Sequence, residues 1–483
     1  MRKIVIFIST VLLLAQCTTS NVNTVSEGLG CDLDQIAFDK AEVFEPLATS
    51  VSENKLPQNI SLLQYAPKRL SQGRKGSCTA WAACYAAGTI LWSQALQTNP
   101  DNLAFSPDFI YNQMTKGNCT GTNIGEALEL VLDEGLISLT EFEYDENDCN
   151  RQPSSEIKAN ALQYRLKGFN RLTLNGNDYK VDINAIKQNL AQGAPVVVGM
   201  LVGGTFYSLS GSGPVVWEPT RSDYNALKQS TDGHIVYDGN NAKFGGHAMC
   251  VIGYDDTFNG GCFQIMNSWG SDWGEDGVFW MPYKDFEYFV NGFYGEAYGL
   301  YPLEQKKTGV EFDFVASVGL LLNESKEYIN FEFKKGYTFE TTEQIPANTK
   351  FKIAVRNENE CYTYVFGQET DGTSYILFPY TEKHSAYCGI TGTRLFPKDY
   401  SLLLDNIGSK DVMAVIFTKN EIDYNILNDE INAAKGQNYE DKIRNALGTD
   451  LIAGFNYTDG EKITFKAKSE GLNTMVIVFE INK

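Results

Sequence analysis

Gln72-Gly73-Arg74-Lys75-Gly76-Ser77-Cys78 runs directly into Thr79-Ala80-Trp81-Ala82-Ala83-Cys84-Tyr85-Ala86-Ala87-Gly88-Thr89-Ile90, and this junction decides how the first half of the chain is read. Ser77, a capping-type residue, precedes an apolar run in which Trp81, Cys84, Tyr85 and Gly88 share one face at helical spacing. The pattern predicts a buried helix with Cys78 in its first turn. A cysteine attacks as its thiolate, which the positive end of a helix helps to stabilise. Far downstream, His247 stands in Phe244-Gly245-Gly246-His247-Ala248-Met249-Cys250, a glycine pair entering an apolar strand. It is one of only three histidines, with His234 and His384. Asn267 follows in Ile265-Met266-Asn267-Ser268-Trp269-Gly270. A thiol, an imidazole and an amide in that order can serve as nucleophile, base and the group that fixes the ring tautomer. The amide N–H of Gln72 and the backbone N–H of Cys78 would make a two-donor hole for an oxyanion.

Working outward, apolar spacing predicts helices over Ile124 to Glu134 and Asp182 to Gln192. Strand signals cover Pro195 to Val202, Ala248 to Tyr254, Cys262 to Asn267 and Gly277 to Met281. Helices first and strands later is the order of an α+β fold rather than of alternating βαβ units. The chain has 483 residues, too many for one ordinary core. The polar run Glu304-Gln305-Lys306-Lys307-Thr308-Gly309 suits a linker, dividing a first domain over 57–303 from a second over 310–483. In the second, Cys361 to Phe366 and Ser374 to Phe378 flank the turn dipeptide Asp371-Gly372, predicting a hairpin. Val412 to Phe417 and Met475 to Ile481 read as another strand pair, with a helix near Tyr439 to Leu447.

At the amino terminus, Arg2 and Lys3 precede the apolar stretch Ile4 to Ala15, which is too short to span a bilayer and reads as a signal peptide over 1–17. Leu14-Ala15-Gln16-Cys17 resembles the cleavage box of bacterial lipoproteins, with Cys17 the acylated residue, although Gln16 departs from the usual small residue. That implies an exported protein held at the cell envelope by a lipid anchor, or else secreted. Residues 18–56 are polar and without strong periodicity, and are read as a tether or leader.

A formal charge of −20, from 40 basic and 60 acidic side chains, with no Lys/Arg-rich run, argues against nucleic-acid binding. The ten cysteines lack the close Cys/His pairing of a metal site, so neither a metal nor an organic cofactor is expected. In an exported chain they invite disulfides instead. Cys119 with Cys149, and Cys361 with Cys388, are plausible bridges. Cys250 and Cys262 may pair or be simply buried; Cys31 and Cys84 carry no assignment. At about 100° per helical residue the thiols of Cys78 and Cys84 point apart, so Cys78 is expected to be free.

Taken together, Gln72 to Cys78, the Gly-His-Ala segment at His247 and Asn267-Ser268-Trp269-Gly270-Ser271-Asp272-Trp273-Gly274-Glu275-Asp276-Gly277 resemble the papain family of cysteine peptidases. The likeness covers roughly Pro57 to Pro302. It implies a two-lobed peptidase domain, a helical lobe followed by a β-barrel-like lobe, acting on protein or peptide substrates. It also implies roles: Cys78 nucleophile, His247 base and acid, Asn267 orienter, Gln72 oxyanion donor, and Trp269 a shield over the Asn–His hydrogen bond. Lys75 replaces the family's cysteine three residues before the nucleophile, so the usual bridge cannot form and Cys119 is left to pair with Cys149. Lys75 also adds positive charge near the thiol. Thr79 replaces a bulky aromatic, which leaves more room beside the site, and Cys119-Thr120-Gly121-Thr122 keeps part of a glycine-rich edge that pairs with substrate backbone. The separation of Cys78 from His247 exceeds the family's span, with the excess placed in Gly203 to Phe244, either a loop over the cleft or a plain surface insertion. The leader is too short for the large inhibitory propeptide of many relatives, so control is expected to be absent or to lie elsewhere.

Tyr362-Thr363-Tyr364-Val365-Phe366, Leu377-Phe378-Pro379 and Val412 to Phe417 resemble uncharacterised bacterial modules fused behind peptidase domains. They imply a mostly-β sandwich that either binds protein, glycan or cell-wall partners or acts as a spacer. Two rival functions are an NlpC-type cell-wall amidase, against which Asn-Ser-Trp-Gly speaks, and a binding protein on a retired peptidase scaffold, against which retention of all four polar groups speaks.

Overall fold

The computed structural model describes residues 28–229, 244–292, 294–303, 312 and 314–483. The signal peptide with Cys17, the linker 304–309 and His234 lie outside the described residues.

The helix that begins at Cys78 runs in three windings: α-helical over Cys78–Ala80, wider π-helical over Trp81–Gly88 and α-helical again over Thr89–Leu96. Ser77 does not cap it. Its hydroxyl bonds Tyr144 Oη at 2.8 Å instead. Nor does the helix show one buried face, because every residue from Cys78 to Ile90 is buried. Helices Pro107–Thr115 and Ile124–Glu134 and the strand Gly245–Asp255 enclose it, and its run of alanines lets them approach closely. Ile124–Glu134 is capped by Asn123, whose side chain accepts the N–H of Glu126. It stops at Gly135, where φ is 78° and a Cβ would sit 2.0 Å from the Ala161 carbonyl oxygen.

Beside this helical layer lies an antiparallel sheet with spatial order Phe169–Arg171, Glu296–Leu300, Val196–Val202, Gly245–Asp255, Cys262–Met266 and Val278–Pro282; Asn59–Ser61 also pairs with Gly245–Asp255. All of Val196–Val202 is buried, since the strand is packed between the helix at Trp81–Gly88 and the helix Tyr283–Asn291. That double coverage explains its continuous apolar run. Register sets Cys250 opposite Met266, which brings Asn267, just past one strand, towards His247 near the start of its neighbour.

Residues from 314 onward form two sheets. One orders Phe331–Lys335, Thr338–Thr341, Thr474–Asn482, Lys410–Thr418, Cys361–Gln368 and Ser374–Phe378; the other orders Gly392–Phe396, Lys350–Asn357, Phe314–Leu322, Ile463–Ala467 and Phe455–Thr458. Val318, Ile353 and Phe465 of the second share one core with Phe366, Ile416 and Phe479 of the first, which makes this a β-sandwich. The Asp371-Gly372 hairpin and the pairing of Lys410–Thr418 with Thr474–Asn482 are present. The parallel pairing of Thr338–Thr341 with Thr474–Asn482 is an addition that sequence periodicity did not announce.

Cys119 and Cys149 are joined, with Cα atoms 5.6 Å apart. Cys361 and Cys388 are not, contrary to expectation. They oppose each other across a strand pair, but as buried thiols whose sulfurs are directed at Thr363 Oγ1, 3.8 Å away, and the Ala386 carbonyl, 3.7 Å away. Cys250 and Cys262 are likewise separate buried thiols, because the register pairs Cys250 with Met266 and Cys262 with Asp255.

From residue 28 onward the stretch read as a tether or leader packs against the rest of the protein. Leu29, Phe38, Val43, Phe44 and Leu47 are buried. Apart from the turn Gln35–Phe38 the segment is irregular, so no helical or strand period marks it although Leu29, Phe38, Phe44 and Leu47 join the core of the first domain. Val43 bridges to Arg171 on the first domain and to His384 on the second.

Candidate active site

Cys78, at the head of the buried helix, is fully buried. Burial pushes its thiol up to about 12, opposed by the nearby backbone N–H groups of Ala248, Thr79 and Gly30. Ala248, the residue that follows His247, lies beside the sulfur. The imidazole of His247 is also fully buried, and burial, opposed by its bond to Asn267, brings it down to about 4. In this state both groups are neutral.

Asn267 settles the tautomer of the ring. Its Oδ1 accepts the Ser268 N–H at 2.8 Å and contacts His247 Nε2 at 2.7 Å. An oxygen already accepting from a backbone N–H has only lone pairs to offer, so Nε2 must carry the proton. Nδ1, buried and without a hydrogen bond, keeps the free lone pair of a base. The Trp269 ring lies 4.9 Å from the imidazole. Phe206 packs edge-on against Trp269 at 5.2 Å and Tyr207 stacks on it at 5.6 Å. Both come from the stretch after Gly203, whose first turn is therefore built into the aromatic cover of the site rather than being a plain surface insertion.

Gln72 is tied into the same block. Its backbone N–H donates to the Ser268 carbonyl at 2.8 Å, its Oε1 accepts from Ser268 Oγ at 2.5 Å, and one Nε2 hydrogen goes to the Lys75 carbonyl at 2.9 Å. A primary amide nitrogen carries a second hydrogen, which stays available. Tyr144, unnoticed in the sequence, donates to the Gln72 carbonyl at 2.7 Å and meets Ser77 Oγ. Thr79 is buried with its hydroxyl bonded to that of Thr122, which ties the helix start to the Thr120–Thr122 edge and uses part of the room expected there.

The charge expected from Lys75 does not reach the thiol. Its ammonium is buried against Asp108 at 2.5 Å and donates to the carbonyls of Asp145 and Asp148 and to Asn112 Oδ1. The rings of Tyr111 and Tyr144 lie 5.0 Å away on either hand. Lys75 cross-ties the loop 145–148 to the helix 107–115 and spends its charge there.

The cleft over Cys78 is occupied by the chain itself. The N–H groups of Gly30 and Cys31 donate to the Gly246 carbonyl at 3.2 and 3.1 Å, Thr122 N–H donates to Gly30 O at 2.9 Å, and Asp32 N–H donates to Thr122 O at 3.0 Å. A Cβ on Gly30 would sit 2.2 Å from Gly76 O, and one on Gly28 2.8 Å from Trp269 Nε1. Glycine is required for so close a passage. Below this segment Glu296 Oε1 accepts the Asp34 N–H at 2.9 Å and Asn123 Nδ2 at 3.2 Å, and burial lifts its carboxyl to about 8. Neither role was visible beforehand: a lone Glu in a short strand reads as surface, and a polar leader reads as tether.

Residues 66–290 match the family described as papain family cysteine protease. An uncharacterised peptidase C1-like protein of Acanthamoeba polyphaga mimivirus is 29% identical over 234 residues, 47% of this chain and 68% of the relative. A cathepsin B-like protein of Giardia intestinalis is 25% identical over 248 residues, 49% of this chain and 72% of its own. Among solved structures, xylellain, a cysteine protease from Xylella fastidiosa, is 25% identical with a TM-score of 0.45, covering 58% of this chain and 97% of that one.

Proposed function

We propose that this chain, which through residues 66–290 belongs to the papain family of cysteine proteases, is an endopeptidase in which Cys78, His247, Asn267 and Gln72 carry the chemistry. As a member of that family it is a hydrolase of peptide bonds with proteins or peptides as substrates. In the proposed cycle the cleft opens to water and substrate. His247 Nδ1 takes the Cys78 proton, and the imidazolium steadies the thiolate. The sulfur adds to the scissile carbonyl carbon. The resulting oxyanion is held by the second Nε2 hydrogen of Gln72 and the backbone N–H of Cys78. His247 then protonates the leaving amine as the C–N bond breaks and the thioester forms. Water, deprotonated by the same ring, attacks the thioester and releases the acid and the free thiol.

One observation carries this assignment: Asn267 Oδ1, pinned as an acceptor by Ser268 N–H, leaves His247 Nδ1 as the only basic ring nitrogen. Cys78→Ala is expected to abolish cleavage of casein and of fluorogenic peptides, and labelling by an epoxysuccinyl inhibitor, while Asn267→Ala weakens both by roughly ten- to a hundred-fold. Undiminished cleavage by the Cys78 variant would refute the assignment. Release of peptidoglycan peptides without protein cleavage would favour the amidase instead.

Export rests on the amino-terminal pattern of Arg2, Lys3, the apolar run to Ala15 and Cys17, and the proposed location is the bacterial cell envelope through a lipid on Cys17. Radiolabelled palmitate failing to enter the expressed protein would remove the anchor.

A further inference from the structure

The leader is fastened at both ends. Gly28–Asp32 lies in the cleft, and only Leu33, Asp34 and the single helical turn Gln35–Phe38 separate it from a stretch bonded to the β-sandwich. There Val43 N–H donates to Lys383 O at 2.6 Å, and Ser385 N–H to Val43 O at 3.0 Å. Arg394 Nε, buried, donates to Glu45 O at 2.9 Å. Ala48 N–H donates to Thr393 O at 3.0 Å. Asn54 grips Thr393 from both sides, donating to its carbonyl at 2.7 Å and accepting its N–H at 2.9 Å. Asp39 pairs with Lys383 at 2.7 Å, and Glu53 with Lys462 at 3.3 Å. The first domain holds the same stretch from the other side, through Arg171 N–H to Glu42 O, Phe44 N–H to Arg171 O and Leu47 N–H to Gln188 Oε1.

We propose that the β-sandwich is the anchor of an intramolecular strap: it fastens residues 39–54, and thereby keeps Gly28–Asp32 over Cys78, so that the full chain is a latent peptidase. The strap is a poor substrate for its own site. The Gly30 N–H is bonded to the Gly246 carbonyl, while the Gly30 carbonyl is turned to Thr122 N–H and is not offered for attack. Burial of the thiol and the imidazole under the strap keeps the pair neutral, and strap departure would admit the water that an ion pair needs. The sandwich then acts on catalysis without touching substrate, and whatever loosens its hold on the leader switches the enzyme on.

The proposal rests on the peptidase reading, and two readouts separate them. Iodoacetamide alkylation of Cys78 in the full chain reports access to the thiol; turnover of a fluorogenic peptide reports activity. Gly30→Val, which cannot pass Gly76, is expected to raise both at least ten-fold. The triple variant Glu53→Ala, Asn54→Ala, Lys383→Ala removes side-chain grips between leader and sandwich while leaving the Asp39–Arg171 pair of the first domain in place, and is expected to raise both several-fold. It should also speed hydrogen exchange at residues 28–34. A triple variant that alkylates, exchanges and turns over like the parent, beside an activated Gly30→Val, would show that the strap blocks but the sandwich does not hold it, overturning the proposal. No change in Gly30→Val would overturn the strap itself. Faster alkylation without turnover would leave the latch standing and sink the peptidase reading.

Discussion

The helix starting at Cys78 and the leader ending at Asn54 meet at one sulfur and are held there by opposite means. The helix winds its backbone in α- and π-type turns of its own, and it is buried from Cys78 to Ile90 in the core of the first domain. The leader bonds to itself only over short spans, in the turn Gln35–Phe38 and between Ala48 and Asn54, and is otherwise held by Gly246, Thr122, Lys383 and Thr393. Displacing the helix therefore means unfolding the domain, whereas lifting Gly28–Asp32 from the cleft exchanges a few hydrogen bonds for bonds to water, at about 1 kcal/mol apiece, and exposes Leu29 and Cys31, while Phe38, Phe44 and Leu47 of the leader stay in the core. In the proposed latch, nucleophile and cover would have the stabilities their tasks need: one permanent, the other removable.

The contrast breaks first at Lys75. Removing its ammonium leaves Asp108 buried and unpaired, which costs about 3–5 kcal/mol. Lys75→Met is thus expected to lower the urea midpoint of the first domain more than any strap variant, and a midpoint within error of the parent would show that Asp108 is solvated on loss of its partner. Next comes Gly88, in the helix itself, where a Cβ would lie 2.6 Å from Leu136 Cδ1. Gly88→Val should cost about 1–3 kcal/mol by overpacking. Gly30→Val, though its Cβ meets a still closer obstacle, should leave the melting temperature of both domains nearly unchanged, because the strap yields and the core does not. Equal losses in the two glycine variants would mean that the leader is a structural part of the domain rather than a removable cover.

The same difference explains what could be read in advance. Elements that satisfy their own backbone impose a period on their side chains, and Ile124–Glu134 and Tyr439–Leu447 emerge with the bounds that spacing assigns. Gln72, Cys78, His247, Asn267 and Trp269 are legible because each sits in a motif with a chemical reason for its neighbours. Legibility fails where bonding is external or where a polar group is buried by a distant partner. Gly30 and Glu45 depend on residues more than two hundred positions away, and no window of sequence contains both members of such a pair. Lys75 fails for the same reason. Its reading as a charge for the thiol is sound electrostatics, defeated by Asp108, which the helix Pro107–Thr115 delivers from outside the motif.

The finest expected effect concerns acidity. Docking the leader buries the carboxyls of Glu42 and Glu45, and burial raises each to about 7 from an ordinary 4.5. Glu45 faces Lys398, Arg394 and Lys352, which oppose the rise, and Asp399, which adds to it; Glu42 is opposed by Ser385 and pushed further by Glu421. The docked leader thus holds its protons more tightly than the free one. Docking is strongest below about pH 4.5, weakens as pH climbs towards 7, and levels off above it. Turnover of the parent divided by that of Gly30→Val cancels the titration of the site itself, and this ratio is expected to rise at least roughly ten-fold between pH 5 and 7.5. Glu45→Gln keeps the shape of the side chain and removes its charge, so its ratio should climb less steeply. A parent ratio that is flat across this range would mean that both carboxyls keep water when the strap is down, leaving the backbone bonds alone to set how often the cleft opens.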